Sequence, residues 1–237
     1  MTGVRSVMRR GGWALACVLL GLTGGRAAAG PPKDSPEAPP VEFLQKKCDQ
    51  GGARECGQLA VRYAGSGVEK DERLVVPLLT KACDGGYSLG CGLLGEMYVE
   101  GKGVEKDAGR AAGFLEKGCA ADVDMACDSL GMLLVEGKGV KKDARRAATL
   151  YGKACDLGYL PACQRLGVLL VGREVGQDLP RAAALFEKAC TRRHLTSCFL
   201  LGQLHAQGLG VKKDARRAAF LFQRACEGGV TQACRDP

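Results

Sequence analysis

Twelve of the thirteen cysteines fall into six pairs, and the two members of every pair are eight residues apart: Cys48/Cys56, Cys83/Cys91, Cys119/Cys127, Cys155/Cys163, Cys190/Cys198 and Cys226/Cys234. Successive pairs start 35 or 36 residues apart. A period in this range is the mark of a helical repeat, in which one supersecondary unit recurs and stacks on its neighbours.

The stretch from Asp143 to Cys163 shows what the unit is. Asp143 is an N-cap residue, and Ala147, Leu150, Tyr151 and Ala154 follow at three- and four-residue spacing, one apolar stripe on a helix. Gly158 stops that helix, and a second apolar-periodic run starts near Pro161 and continues through Leu166, Gly167, Leu169 and Leu170. On one continuous helix Cys155 and Cys163 would lie ~12 Å apart, whereas a disulfide needs Cα atoms within roughly 7 Å. Only a hairpin lets them meet, at the end of one helix and the start of its antiparallel neighbour.

Other positions keep the same step. Asp71, Asp107, Asp143, Asp178 and Asp214 each lie twelve residues before a first cysteine, as helix N-caps. Leu94-Gly95, Leu130-Gly131, Leu166-Gly167 and Leu201-Gly202 follow the second cysteines, with Leu59-Ala60 in the first unit; glycine there predicts a close approach of two helix backbones. A Gly-x-Gly-Val connector starts at Gly101, Gly137 and Gly208, and altered versions follow Gly65 and Gly172. The last unit ends three residues past Cys234, so Phe220, Leu221 and Phe222 are expected to be under-covered, which predicts self-association through that end.

Ahead of the repeats, residues 1–29 read as a secretory signal peptide: Arg5, Arg9 and Arg10, a ten-residue apolar run from Trp13 to Leu22, then Ala27-Ala28-Ala29. Ten residues are too short for a span that needs ~20. A lipoprotein cut at Cys17 is the lesser alternative, since little apolar sequence precedes it. Residues 30–40 carry five prolines and read as a linker, leaving 41–237 as a solenoid of about six units. Cleavage after Ala29 leaves twelve cysteines and, with thirty basic against twenty-six acidic residues, a net charge of +4. That balance is no nucleic-acid signature, and an even cysteine count in an exported chain points to an oxidising compartment, periplasmic or extracellular. The Ala, Arg, Gly and Leu excess fits the codon usage of a GC-rich bacterial genome.

The two-helix unit of about 36 residues, the Leu-Gly-x-x-Tyr/Leu and Gly-x-Gly-Val-x-Lys-Asp-x-x-Arg-Ala signatures and the pair of cysteines in every unit together resemble the Sel-like repeat (SLR) family, and within it the Helicobacter cysteine-rich protein subfamily. The resemblance covers about residues 41–237. It implies an all-α, right-handed superhelix of TPR-like antiparallel hairpins used as a binding scaffold, with export and one disulfide per repeat. It also implies penicillin binding and a weak β-lactamase-like activity.

The residues themselves offer that activity little. A serine β-lactamase needs Ser-x-x-Lys, but the residues three after Ser66, Ser88, Ser129 and Ser197 are Glu69, Cys91, Met132 and Leu200. A zinc enzyme needs a histidine cluster, and only His194 and His205 exist. His205 stands where other units have Tyr98 or Leu134 and is expected to be packed; His194 sits in a turn and is expected to be exposed. Cys-x-x-Cys is absent, so neither a dithiol oxidoreductase nor a metal site is expected, and no cofactor motif occurs.

Binding has more support. Arg110, Arg145, Arg146, Arg181, Arg216 and Arg217 recur at the starts of the first helices, preceded by Lys141, Lys142, Lys212 and Lys213. Stacking would align them into a basic edge for acidic peptides, carboxylates or a cell-envelope polymer. The plainer alternative is a solvated edge whose arginines pair with nearby carboxylates. Of the tyrosines, Tyr63, Tyr98 and Tyr151 are expected between helices, and Tyr87 and Tyr159 in the turns are less constrained. The sequence therefore reads as a protein- or peptide-binding scaffold, with a β-lactam-binding hydrolase as the alternative that only the resemblance implies.

Overall fold

The computed structural model describes residues 39–65 and 72–235. The expected signal peptide, most of the expected linker, Ser66, Glu69 and the expected N-cap Asp71 lie outside the described residues. Among those described there are eleven α-helices and no strand: α1 Val41–Asp49, α2 Ala53–Ala64, α3 Glu72–Asp84, α4 Ser88–Glu100, α5 Ala108–Ala120, α6 Asp124–Glu136, α7 Ala144–Asp156, α8 Leu160–Val171, α9 Leu179–Thr191, α10 Leu195–Gln207 and α11 Ala215–Glu227, followed by a 3-10 turn, Thr231–Cys234. Each helix packs on the one before and the one after, and α4 also touches the even helices on either side of it, α2 and α6. This nearest-neighbour pattern makes the chain an α-solenoid.

The odd helices α5, α7, α9 and α11 start as their sequence dictates. The carboxylates of Asp107, Asp143, Asp178 and Asp214 accept from the backbone N–H of Arg110, Arg146, Arg181 and Arg217, at 2.9, 2.9, 3.0 and 2.9 Å. That bond satisfies a donor which a helix start leaves unpaired. The same aspartates close the connectors, their own N–H donating to the carbonyls of Tyr98, Leu134, Leu170 and His205.

The alternation of 35 and 36 residues has a local cause. Helices α4, α6 and α10 have thirteen residues and end on Gly101, Gly137 and Gly208 in the left-handed conformation. Helices α2 and α8 have twelve and end on Gly65 and Gly172 with extended backbone. Only the first kind needs φ near +70°, which favours glycine.

All six cysteine pairs are disulfides: Cys48–Cys56, Cys83–Cys91, Cys119–Cys127, Cys155–Cys163, Cys190–Cys198 and Cys226–Cys234, with Cα–Cα separations of 4.6 to 4.9 Å. Each joins the C-terminal turn of an odd helix to the first turn of the next even helix or, for the last pair, to the 3-10 turn. The sequence assigns these cysteines a cross-linking role only, and the structure adds a packing one. All but Cys226 and Cys234 are buried, and Cys56, Cys127, Cys163 and Cys198 are each 1% exposed or less. Those four second cysteines are thus part of the core rather than a site that a ligand reaches from solvent. The sulfurs of Cys56, Cys127 and Cys198 also lie 3.5, 3.6 and 3.7 Å from the carbonyl oxygens of their own partners, Cys48, Cys119 and Cys190. A disulfide sulfur carries no proton, so these are packing contacts rather than thiol hydrogen bonds. The core as a whole is a strip of two clusters, running from Leu44 to Leu94 and from Ala111 to Ala233, with Tyr98 packed on both.

The Leu-Gly glycines act differently from the expectation. A Cβ on Gly131 would lie 2.6 Å from a Tyr151 ring carbon and one on Gly202 would lie 2.7 Å from the Phe222 ring, while Phe186 fills the same role over Gly167 and Leu115 over Gly95. The glycine admits a large side chain from the following odd helix; at Gly95 that helix's backbone also comes close, the Ala111 carbonyl oxygen lying 3.2 Å from where a Cβ would be. Gly131→Ala is therefore expected to cost about 1–3 kcal/mol by overpacking. Gly113→Ala, at an exposed helical position with nothing within 4 Å, is expected to gain about 0.5–1 kcal/mol. Urea unfolding of both variants checks the sign of each.

At the C-terminal end only Phe220 is exposed, at 53%, whereas Leu221 and Phe222 are buried. The expected under-covering thus fails for two of the three. Disulfide Cys226–Cys234 holds the 3-10 turn down, where Val230 and Ala233 join the core, and Phe222 has the Gly202 slot and the Phe199 ring, 5.7 Å away, to fill.

Candidate binding surfaces

The starts of α5, α7, α9 and α11 carry the basic residues. Arg146 Nη2 lies 2.6 Å from Glu116 of α5, and Arg217 Nη2 lies 2.8 Å from Glu187 of α9. Both glutamates stand three residues before a first cysteine, so the two contacts repeat one rung that ties an odd helix to the odd helix before it. Lys142 reaches Glu174 of the next connector at 3.1 Å, and Arg110 turns to its own cap Asp107 at 3.3 Å, with its guanidinium 6.0 Å from the Tyr98 ring. Lys141, Arg145, Arg181, Lys212, Lys213 and Arg216 have no ion pair among the described residues. The edge thus divides between the two sequence readings: four of its cations are paired and six are not.

A second set of ties, at the other ends of the odd helices, lies outside the sequence reading. Lys153 Nζ donates to the Cys119 carbonyl at 2.6 Å and meets Asp122 at 2.8 Å; Lys188 Nζ donates to the Cys155 carbonyl at 3.2 Å and meets Asp156 at 3.2 Å. A lysine two residues before each of these first cysteines thereby caps the C-terminus of the previous odd helix, where the helix dipole favours a cation. The recurrence of Lys81, Lys117, Lys153 and Lys188 was the available signal.

The even helices carry a different surface. Two and five residues after the second cysteines stand Leu93 and Glu96 on α4, Ser129 and Met132 on α6, Arg165 and Val168 on α8, Leu200 and Gln203 on α10. Val168 is 47% exposed, and Val61, at the matching place on α2, 44%. Beside this row lies Asp128, 2% exposed, gripped by Arg165 Nη1 at 2.8 and 2.6 Å to its two carboxylate oxygens. Burial pushes the Asp128 pKa up, against the pull of the Arg165 charge. Burial also raises Glu96, whose Oε1 is enclosed without a hydrogen-bond partner among the described residues, while Ser129 lowers it and the charges of Glu100 and Asp128 raise it further. The Tyr159 phenol is raised by burial first and by Asp128 second. No periodic signal marks Asp128, Arg165 or Glu96, because each occurs at its position in one unit only; Tyr159 shares its position with Tyr87.

The histidines and tyrosines complete this side. His194 is half-buried rather than exposed: it is the N-cap residue of α10, and its Nδ1 lies 2.9 Å from the hydroxyl of Ser197, which is 0% exposed. Burial and the nearby Arg165 charge lower its pKa. Enclosure leaves the Ser197 hydroxyl no approach to a substrate. His205 is half-buried on α10, 3.4 Å from the Lys212 carbonyl. Tyr151 is buried, and Tyr63, Tyr98 and Tyr159 are partly so. Tyr87 is more constrained than its turn implied, since its ring covers Gly57 of α2. Among the described residues no group of three His, Cys, Asp or Glu side chains could hold a metal ion, and no helix is long and apolar enough to cross a membrane.

The Sel1 repeat family model matches residues 56–87, 88–123, 124–159, 160–194 and 195–230. Its frame opens each repeat on an even helix, so a disulfide that closes an Asp-capped hairpin also crosses from one matched repeat into the next. Among solved structures, a Sel1 repeat protein from Oxalobacter formigenes is similar with a TM-score of 0.75 and 24% identity over 81% of this chain and 78% of that one. A protective antigen of uropathogenic Escherichia coli with an SLR fold is similar with a TM-score of 0.50 and 23% identity over 83% of this chain, which spans 50% of that protein. Helicobacter pylori cysteine rich protein B is 31% identical over 52% of this chain and 89% of its own length, with a TM-score of 0.43. Comparison with curated proteins found no match. Six cystines fit an oxidising, extracellular or periplasmic environment. With the family model covering most of its length, a helix pair in every period and the Leu-Gly and Asp positions kept in step, the chain belongs to the Sel1 repeat family.

Proposed function

We propose that the chain is an exported scaffold, stiffened at every hairpin by a disulfide, that binds a protein or peptide along its even helices and turns over no substrate. The carrying observation is the row at the fifth position after each of the first five second cysteines, where the exposed valines Val61 and Val168 share a register with the half-buried Glu96, Met132 and Gln203. Stacked units hold such a row at fixed spacing, which suits an extended polypeptide better than a compact small molecule. Export rests on residues 1–29 as a cleaved signal peptide, with 30–40 as a linker to the solenoid, and on the number of cystines.

A photo-crosslinking residue placed at Val168 or Gln203 in the oxidised, exported protein is expected to give one discrete protein adduct, the same from both positions and absent when the probe sits at Ala184 of α9. Purified protein is expected to leave nitrocefin unhydrolysed. Steady turnover of nitrocefin, abolished by heating in reductant, would instead establish the β-lactam hydrolase reading.

A further inference from the structure

The interhelical rung between an arginine and a glutamate is missing at two steps: from α3 to α5, where Thr80 holds the place and Arg110 pairs with its own cap Asp107, and from α7 to α9. The place of Glu116 in α5 and Glu187 in α9, three residues before the first cysteine, is held in α7 by Gly152. Arg181, which stands in α9 where Arg146 and Arg217 stand in α7 and α11, therefore has no carboxylate to meet. It lines a cleft of about 200 Å³ together with Arg145 and Thr149 of α7, over a floor of Leu166, Leu170 and Val175. Neither arginine has an ion pair among the described residues, and the Thr149 hydroxyl donates only to the Arg145 carbonyl, at 3.3 Å. At 100° per residue, Leu166 and Leu170 lie on the side of α8 opposite Val168. This cleft is thus separate from the even-helix row.

We propose that the cleft is a second binding site, for an extended acidic peptide segment in which a glutamate or aspartate is flanked by aliphatic residues. The carboxylate supplies to Arg145 and Arg181 the partner that Gly152 withholds, and a neighbouring aliphatic side chain covers Leu166, Leu170 and Val175. Charge alone would admit any anion; the aliphatic side chains that line the cleft with the two arginines select one that carries hydrocarbon beside its charge. The cleft accepts one or two side chains, so the rest of the segment runs on along the unpaired cations of the same edge.

Gly152→Glu tests this directly. A Cβ there meets only the Leu166 Cδ2, at an ordinary 3.8 Å, and the change removes a glycine from a helix interior, so the fold is not endangered. The new carboxylate would occupy Arg181 as Glu116 occupies Arg146. The probe is an end-blocked Gly-Leu-Glu-Leu-Gly peptide, titrated against the oxidised protein and followed by amide chemical shifts. It is expected to shift the Thr149 and Val175 amides, to bind about tenfold more tightly than the same peptide with Gln for Glu, and to lose about as much on Gly152→Glu or Arg181→Gln, as removal of a hydrogen bond to a charged group implies. Rising salt is expected to weaken it.

Equal affinity for the Glu and Gln peptides, unchanged affinity in Gly152→Glu with Arg181→Gln, or shifts confined to other residues would overturn the proposal. So would a uronate polymer that shifts these amides where the peptide does not. Crosslinking at Val168 is independent of this cleft, so the scaffold reading survives its failure.

Discussion

Paired replacement of Cys155 and Cys163 by alanine is expected to lower the free energy of unfolding by about 2–3 kcal/mol. The two sulfurs close a loop of about nine residues, and cross-linking a loop of that size removes roughly this much chain entropy from the unfolded state. Truncation of two buried sulfurs, 1% and 0% exposed, adds a smaller packing loss. Because a solenoid is held together unit by unit, the loss falls on α7 and α8 and their neighbours, and a single urea transition is expected to split in two. Cys226→Ala with Cys234→Ala, at the end of the stack, is expected instead to free the 3-10 turn and release Val230 and Ala233 from the core without splitting the transition. Complete reduction removes about 15 kcal/mol by the same reckoning, as much as the whole stability of an ordinary domain, so reductant alone should unfold the protein. Far-ultraviolet circular dichroism with and without reductant measures this; an unchanged signal would mean that hairpin packing suffices and that the cystines are incidental.

The second large effect is expected from Arg165→Ala. It strips from Asp128 the only hydrogen-bonding cation among the described residues and leaves a carboxylate that is 2% exposed. Breaking a buried pair costs about 3–5 kcal/mol, and a loss of about 2–4 is expected here because the Arg165 side chain is itself 35% exposed. The pH dependence has a definite sign. Burial already holds the Asp128 pKa above its ordinary value in the folded state, so the native protein is favoured by this group at low pH and loses that advantage as pH rises through the raised pKa. Without Arg165 the folded pKa rises further. The deficit of the variant is therefore expected to be largest at neutral pH and to shrink in acid, where Asp128 is uncharged in both proteins. Replacing the pair together, Arg165→Met with Asp128→Leu, is expected to recover most of the loss. A deficit that stays constant between pH 3 and pH 8, thermal melts being the measure, would contradict this account of the pair.

Periodicity made much of this protein legible. The Asp-capped helices, the Gly-terminated even helices and the cysteine pairing all recur in step, and a feature written several times can be read without coordinates. The same logic explains what was misjudged. The Leu-Gly glycines were visible, but whether a glycine admits a backbone or a ring depends on what the following odd helix brings, and that helix supplies Leu115, Tyr151, Phe186 or Phe222. His194 looked like a turn residue because nothing in a turn's composition says that its ring will fold back on Ser197. Phe222 looked exposed because the slot over Gly202 and the Phe199 ring that receive it belong to the preceding even helix, not to its own helix.

What the sequence determined by itself is the unit: an Asp-capped helix, a turn, a second helix and the sulfurs that clip them together, since each of these is set by residues within about twenty positions of one another. Only the tertiary structure decided how units meet. It enclosed Cys56, Cys127 and Cys198 between stacked hairpins, set which arginines of the basic edge are neutralised by a glutamate one repeat earlier and which, like Arg181, face Gly152 instead, and joined Asp128 to Arg165 across 37 residues. Those contacts depend on side chains brought close by stacking, and a local reading of the chain carries no information about distance between repeats.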